Sequence, residues 1–219
     1  MATNLTGDCY LCGANLSKIA MKNHLLKVHG EDESGQECCL LKVEGVYSKE
    51  YWLYFDVPET NTLSDVDEFL RVIWLECCGH CSAFYQSKHI PIDNGRKLKT
   101  FDIGEKFFHE YDFGSTTETV ITVAGHTRRK KQKKDVRLLA RNTPPVYKCG
   151  DCGKTAEYIS SQWGFEIQGP FYCAECIKNY EEGMMLPITN SPRVGVCGYG
   201  GELDVYEFNP AAFVKESKK

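Results

Sequence analysis

Closely spaced cysteines constrain this 219-residue chain more than any other feature of its sequence. Six of the twelve cysteines form three Cys-x2-Cys pairs, each with partners at the spacing of zinc ligands. In an oxidising compartment such cysteines form disulfides, whereas in a reducing one they more often hold metal. The sequence therefore predicts a fold organised around zinc, with two ions per chain.

The rest of the composition is that of a globular cytoplasmic protein. The hydrophobic fraction is 42% and the charged fraction 26%, which is typical of a chain with a packed core. The opening residues MATNLTGDCYLC lack the charged and then apolar pattern of a signal peptide. No apolar run approaches the roughly 18 residues that span a bilayer, so we expect neither secretion nor a membrane partner.

The first predicted zinc site lies within residues 1–30. Its spacing, Cys-x2-Cys-x11-His-x4-His, is close to that of a two-Cys, two-His zinc finger. Leu16 and Met21 stand near the positions where such a finger builds its small core. The alternative is chance spacing in a cysteine-rich chain. The predicted ligands are Cys9, Cys12, His24 and His29.

The second predicted zinc site opens the C-terminal part, residues 142–219. Two Cys-x2-Cys pairs separated by 20 residues are typical of a zinc-ribbon or treble-clef unit. A redox pair is the alternative. Four thiolate ligands leave no position for water, which indicates a structural site. The predicted ligands are Cys149, Cys152, Cys173 and Cys176. We also expect a helical stretch through Glu182 and a final strand at Glu202 to Phe208.

The central residues 37–125 predict a mixture of strands and one helix. Residues 38–46 and 50–57 favour strands, and residues 107–113 and 118–124 favour a hairpin. Apolar residues recur at three- and four-residue spacing over 63–76, which predicts an amphipathic helix. Thr62 and Asp65 stand in capping-box positions at its start. The predicted class is α+β, with a central mixed α/β domain between the two zinc units.

A basic strip, residues 126–141, follows the predicted hairpin as a loop or as an extension of its strand. It carries eight Lys or Arg and one Asp, a local charge of +7 in a chain of net charge −4. Any contact with a polyanion should therefore centre on it. A solvated hairpin tip is the alternative interpretation. The predicted nucleic-acid contacts are Arg128, Arg129, Lys130, Lys131, Lys133 and Lys134.

A further group of cysteines admits two other hypotheses. Cys77, Cys78, His80 and Cys81 lie within five residues, and His109 stands on a predicted neighbouring strand. They suggest a third metal site or a thiol enzyme. The alternative is that these cysteines only fill the core, since cysteine is among the most buried residue types.

Residues 37–125 also resemble the plasmid ORF-3-like family, whose members are described as transposon-passenger TnpR-like proteins. His80 and Phe84 match a His-to-Phe strand motif of that family, and Tyr111 to Gly114 match its Tyr-Asp-Phe-Gly hairpin. The resemblance implies an α+β fold, a prokaryotic source and a link to mobile elements, but no reaction.

These features together favour a non-enzymatic zinc protein that binds nucleic acid, DNA or RNA, or has a regulatory role. The first alternative is a protein–protein adaptor that uses its zinc units as docking platforms. The second is an enzyme that uses Cys77 to Cys81 with His109.

Overall fold

The structure is a computed structural model that describes residues 6–32, 35–87, 90–131, 136–161, 171–180 and 185–213. Nine strands form one antiparallel sheet in the order β2-β1-β9-β4-β3-β8-β7-β5-β6. Their bounds are β1 Thr6–Cys9, β2 Asn15–Ser17, β3 Gln36–Gly45, β4 Trp52–Pro58, β5 Ser82–Ser87, β6 Ile90–Ile92, β7 Lys106–Tyr111, β8 Thr117–Arg129 and β9 Arg137–Asn142.

Two α-helices pack on this sheet, and a smaller sheet follows it. The helices are α1, Lys18–Val28, and α2, Leu63–Leu70, which continues as a π-helical turn over Arg71–Leu75. The smaller antiparallel sheet has the order β11-β10-β12. Its strands are β10 Tyr158–Ser160, β11 Phe171–Tyr172 and β12 Met185–Pro187. Three 3-10 turns span Leu98–Thr100, Cys176–Asn179 and Pro210–Phe213.

The predicted α+β class therefore holds in outline, as a large antiparallel sheet with few helices. The strands expected at 38–46, 50–57, 107–113 and 118–124 are present with shifted ends. The strand expected at Glu202 to Phe208 is not formed. Its aromatic side chains pack on the body instead: the ring centroids of Tyr206 and Phe69 are 5.6 Å apart, and those of Phe208 and Tyr10 are 5.3 Å apart. Among the described residues, neither helix is long and apolar enough to cross a bilayer.

Strand β4 lies inside the sheet between β9 and β3, and all seven of its residues are buried. Side chains alternate between the faces of a strand. Phe55 therefore belongs to the core that includes Phe69 of α2. Trp52 belongs instead to a second core, which includes Met21 and Leu25 of α1. Each face of the central sheet is thus covered by its own helix.

Helix α2 begins at the predicted capping box. The Asp65 carboxylate accepts the backbone N–H of Thr62 at 2.8 Å and its hydroxyl at 3.0 Å. Because its apolar residues recur at helical spacing, one face of the helix is buried. After the π-helical turn the backbone becomes extended at Glu76. The predicted helix over 63–76 is confirmed, with a π-helical last turn.

The N-terminal finger is part of the large sheet and not a separate satellite. Strand β1 pairs with β9, so that Gly7 lies opposite Asn142. A Cβ atom at Gly7 would lie 2.3 Å from the carbonyl oxygen of Arg141, so only glycine allows this approach. The boundaries predicted at residues 31–36 and at residue 126 therefore do not divide the sheet.

The start of the basic strip is a strand extension and not a loop. Strand β8 continues through Arg129, which lies opposite Gln36 in β3. The chain then returns as β9, which includes the last residues of the basic strip. Lys133 and Lys134 lie outside the described residues.

Candidate metal centres

The four predicted ligands of the finger converge on one point. Their ligand atoms all lie within 4.8 Å of one another. The cysteines lie at the end of β1 and in the turn after it, where Gly13 donates its N–H to the carbonyl of Cys9 at 2.8 Å. Helix α1, capped by Ser17, presents both imidazoles. Cys12 Sγ and His24 Nε2 are 3.2 Å apart, so Cys9, Cys12, His24 and His29 could hold a metal ion.

Burial in this cluster favours the neutral form of two ligands. It raises the pKa of the Cys9 thiol to about 11 and lowers the pKa of His29. A metal ion would have to displace the thiol proton, because only the thiolate is a strong ligand. The neutral imidazole is already the form that binds metal.

The four predicted C-terminal cysteines also converge within 4.8 Å of one another. Gly153, at a φ of +72°, closes a tight turn by donating its N–H to the carbonyl of Cys149 at 2.9 Å. Cys173 follows β11, and Cys176 begins a 3-10 turn. Cys152 Sγ and Cys173 Sγ are 3.7 Å apart. A tetrahedral zinc ion with Zn–S bonds of about 2.3 Å places its sulfur atoms about 3.8 Å apart.

Backbone N–H groups prepare this second cluster for a cation. Burial raises the pKa of Cys149, but hydrogen bonds from the backbone of Cys173, Cys152 and Asp151 outweigh it and lower that pKa to about 6. Hydrogen bonds with Cys152 and Cys173 raise the pKa of Cys176. One thiolate is therefore favoured near neutral pH. The helical stretch expected from Cys176 to Glu182 is a 3-10 turn over Cys176–Asn179, and Glu182 lies outside the described residues.

A third cluster forms around Cys77, Cys78 and His80, but with a different fourth member. Cys197 joins these three within 4.8 Å, whereas Cys81 does not belong to the group. The sequence signal for Cys197 was weak. It is a single cysteine in the Gly-rich stretch NSPRVGVCGYGG, whose expected role was to form turns.

The structure does not support the enzyme hypothesis that paired this cluster with His109. The His109 side chain is fully buried, and its Nε2 atom lies 2.7 Å from Asp67 Oδ1. The His109 ring packs on Phe84, at 4.7 Å between ring centroids. His109 is therefore held within the core by Asp67, and it is not a member of the cysteine cluster.

A fourth group, Cys39, Glu59 and His126, was not predicted. Glu59 and His126 are 67 residues apart and come together because β3 pairs with β4 on one side and with β8 on the other. They line a cavity of about 550 Å³. Burial raises the pKa of the Cys39 thiol to about 12. A thiol that stays protonated is a poor nucleophile, so this group gives no support to a thiol enzyme.

The basic strip divides into buried and exposed cations. Arg129 is buried and donates from Nε to Asp56 Oδ1 at 2.8 Å, so the prediction that it contacts phosphate is wrong. Arg128 lies 2.6 Å from Glu37, with both side chains about half exposed. Lys130 and Lys131 are exposed.

Fold and clusters together define a protein whose antiparallel sheet carries several Cys/His groups that could hold metal ions.

No family model matches the chain. It is 28% identical over 82 residues to imidazole glycerol phosphate synthase subunit HisH of Prochlorococcus marinus strain NATL2A; the match covers 37% of this chain and 39% of that relative. A crystal structure of a Methanosarcina mazei Go1 protein of unknown function, MM3350, aligns over 69% of this chain and 87% of its own, with a TM-score of 0.43 and 18% identity.

Proposed function

We propose that the protein is a non-enzymatic zinc protein that binds the phosphate backbone of nucleic acid. The finger and the four-cysteine cluster each hold one zinc ion. Two cysteines with two histidines, and four cysteines, are the ligand sets of structural zinc sites. With all four positions taken by protein, neither ion keeps an open position for water or substrate. The role assigned to both ions is therefore to hold the fold.

The contact that carries the nucleic-acid proposal joins the finger to the basic strip. Arg128 donates its backbone N–H to the carbonyl of Gly30 at 2.8 Å, immediately after α1 ends. Lys27 in the last turn of α1, and Lys130 and Lys131 after Arg128, are exposed, and each lies within three residues along the chain of this contact. A cluster of cations at one place binds polyanions by displacing their counterions.

Arg128 can join this surface at small cost. Its partner Glu37 is exposed, and exposed ion pairs contribute only about 0–1 kcal/mol. A phosphate oxygen can therefore replace the Glu37 carboxylate. Arg129 cannot exchange in this way, because its partner Asp56 is fully buried.

The buried face of α1 limits what the finger can read. A DNA-binding finger inserts its helix into the major groove and reads about 3 base pairs. Here Met21 and Leu25 pack on the sheet, so only the outer face of α1 is free. Contacts to phosphate position a protein but do not specify sequence. We therefore assign weak sequence preference to this surface.

A matched pair of double variants tests the proposal. Lys130→Ala with Lys131→Ala should weaken binding of labelled DNA and RNA similarly across sequences. It should also reduce the slope of log affinity against log salt by up to about two units. Lys49→Ala with Lys178→Ala removes the same charge at two other exposed positions. The control should bind like wild type. An equal loss of affinity in the two double variants would contradict a localised site.

The adaptor alternative keeps one specific observation in its favour. Ile19 and Val28 of α1 are 78% and 62% exposed, so the outer face of this helix offers two apolar side chains to a protein partner. An apolar docking surface depends little on salt, whereas phosphate binding weakens steeply as salt rises. Absence of nucleic-acid binding by wild type at low salt would favour the adaptor.

The family assignment belongs to the same proposal. We infer that residues 37–125 are a plasmid ORF-3-like domain, on the strength of the motif around His80 and Phe84 and of Tyr111 to Gly114. A cytoplasmic location and a link to mobile elements go with that assignment.

A further inference from the structure

We propose that Cys77, Cys78, His80 and Cys197 form a third zinc site, which fastens the C-terminal segment 191–200 to the end of α2. This inference does not depend on nucleic-acid binding. It rests on how four ligands meet from two parts of the chain that are more than a hundred residues apart.

The distances within this cluster resemble the edges of a zinc tetrahedron. Cys78 Sγ lies 3.6 Å from Cys77 Sγ and 3.7 Å from Cys197 Sγ. Cys197 Sγ lies 3.6 Å from His80 Nε2. Zinc bonds of about 2.3 Å to sulfur and 2.0 Å to nitrogen give edges of about 3.8 and 3.5 Å. A fourth edge, 2.8 Å between Cys78 Sγ and His80 Nε2, would open by about 0.7 Å around an ion. The two other edges, from Cys77 Sγ to His80 and to Cys197, are each no longer than 4.8 Å.

Irregular backbone lets two adjacent cysteines reach one ion. On a helix or a strand, neighbouring side chains point in different directions. Cys77 and Cys78 follow the π-helical turn, after the chain has become extended at Glu76. Gly79 then turns the chain at a φ of +78°. Cys197 adopts a φ of +55°, which is uncommon for a residue with a side chain and marks a constrained position.

Arg193 supports the cluster from the buried side. Its fully buried guanidinium donates to Asp112 Oδ2 at 2.7 Å and to Cys77 Sγ at 3.4 Å. One zinc ion with three thiolates and a neutral imidazole has a net charge of −1. The positive charge of Arg193 lies against the Cys77 sulfur and offsets this negative charge.

The segment that brings Cys197 is held to the same place by a second contact. Ser191 donates its hydroxyl to the carbonyl of Trp74 at 2.6 Å, in the π-helical turn. The hydrogen bond joins Trp74 to Ser191, and the cluster joins Cys77 and Cys78 to Cys197. The two connections are therefore only a few residues apart along each segment. Zinc at the cluster would thus add a second connection between the end of α2 and the segment 191–200.

Exposure distinguishes this site from the other two. The finger and the four-cysteine cluster each contain at least one buried ligand, Cys9 in the first and Cys149 and Cys173 in the second. None of the four ligands of the third cluster is buried. A chelator therefore reaches this ion first.

Native mass spectrometry of reduced protein, purified with zinc, tests the site. Cys197→Ser should bind one zinc ion fewer than wild type, whereas Cys81→Ser should bind the same number. Cys81 is the matched control because it is an exposed cysteine of the same loop that lies outside the cluster. Equal zinc counts in the two variants would overturn the proposal.

Two further readouts need no functional assay. Hydrogen exchange in residues 191–200 should be faster in Cys197→Ser than in Cys81→Ser. In wild type, a limited dose of chelator should remove one ion and accelerate exchange in that segment before exchange rises near Cys9 or Cys149. If the variant does not fold, wild-type stoichiometry decides: two ions per chain would overturn the third site and leave the proposed function intact.

Discussion

Arg129 and Asp56 form an ion pair inside the sheet, with Arg129 Nε 2.8 Å from Asp56 Oδ1. Their side chains are 3% and 0% exposed. Arg137 reaches the other oxygen of the same carboxylate. A third arginine of the basic strip, Arg141, is buried and lies 2.6 Å from Asp204. The basic strip is thus tied into the fold by three of its arginines, and its exposed cations are Arg128, Lys130 and Lys131 among the described residues.

The first prediction separates structural from binding cations in that strip. Arg129→Ala should lower the free energy of unfolding by about 3 kcal/mol, because it leaves the buried Asp56 carboxylate without the more deeply buried of its two arginine partners. Lys130→Ala, one residue away and exposed, should change it by less than about 0.5 kcal/mol. Urea unfolding of the two variants measures both values. Similar losses in the two would mean that Arg129 is not held as the structure describes.

A second prediction concerns the buried Asp67–His109 contact. Burial raises the pKa of Asp67, but hydrogen bonds from His109, Arg71 and Ser82 outweigh it and lower that pKa from 3.8 to about 2. This stabilisation is fully present above pH 3.8 and is lost as the pH falls towards 2. At pH 7 it amounts to about 2 kcal/mol.

Asp67→Asn should therefore unfold at lower urea concentration than wild type at pH 7. Glu68→Gln, at the adjacent and exposed carboxylate, serves as the control and should unfold like wild type. An Asp67→Asn variant as stable as wild type at pH 7 would show that the carboxylate contributes no net stabilisation.

The third prediction follows from the pairing of β1 with β9. Since α1 covers one face of the central sheet, loss of the finger ion should expose that face. Cys12→Ser should accelerate hydrogen exchange in β4 and β9, whereas Cys152→Ser should act mainly on β10 and β11. Both cysteines are exposed, so neither change removes core packing. Unchanged exchange in β4 of Cys12→Ser would indicate a finger that is independent of the sheet.

Local features of the sequence predicted the local parts of this structure. The capping box at Thr62 and the apolar spacing after it are sufficient to place α2, because both act within a few residues. The two main ligand sets were predicted for a similar reason, since their spacing encodes a turn and a helix.

Contacts distant in sequence could not be predicted in the same way. Nothing in the three-residue spacing of Cys9 and Cys12 indicates that β1 pairs with β9. The meeting of Cys197 with Cys78 depends on how the C-terminal segment packs on the sheet. The orientation of Arg129 was accessible in principle: in a continued β8, side-chain alternation places Thr127 and Arg129 on the buried face.

The zinc content of the purified chain tests the central claim most directly. Native mass spectrometry, with elemental analysis to identify the metal, should find three zinc ions per chain, one for each four-ligand cluster of the described residues. Two ions would retain the finger and the four-cysteine site and remove the third. A count of zero or one in protein that is folded and reduced would contradict the account.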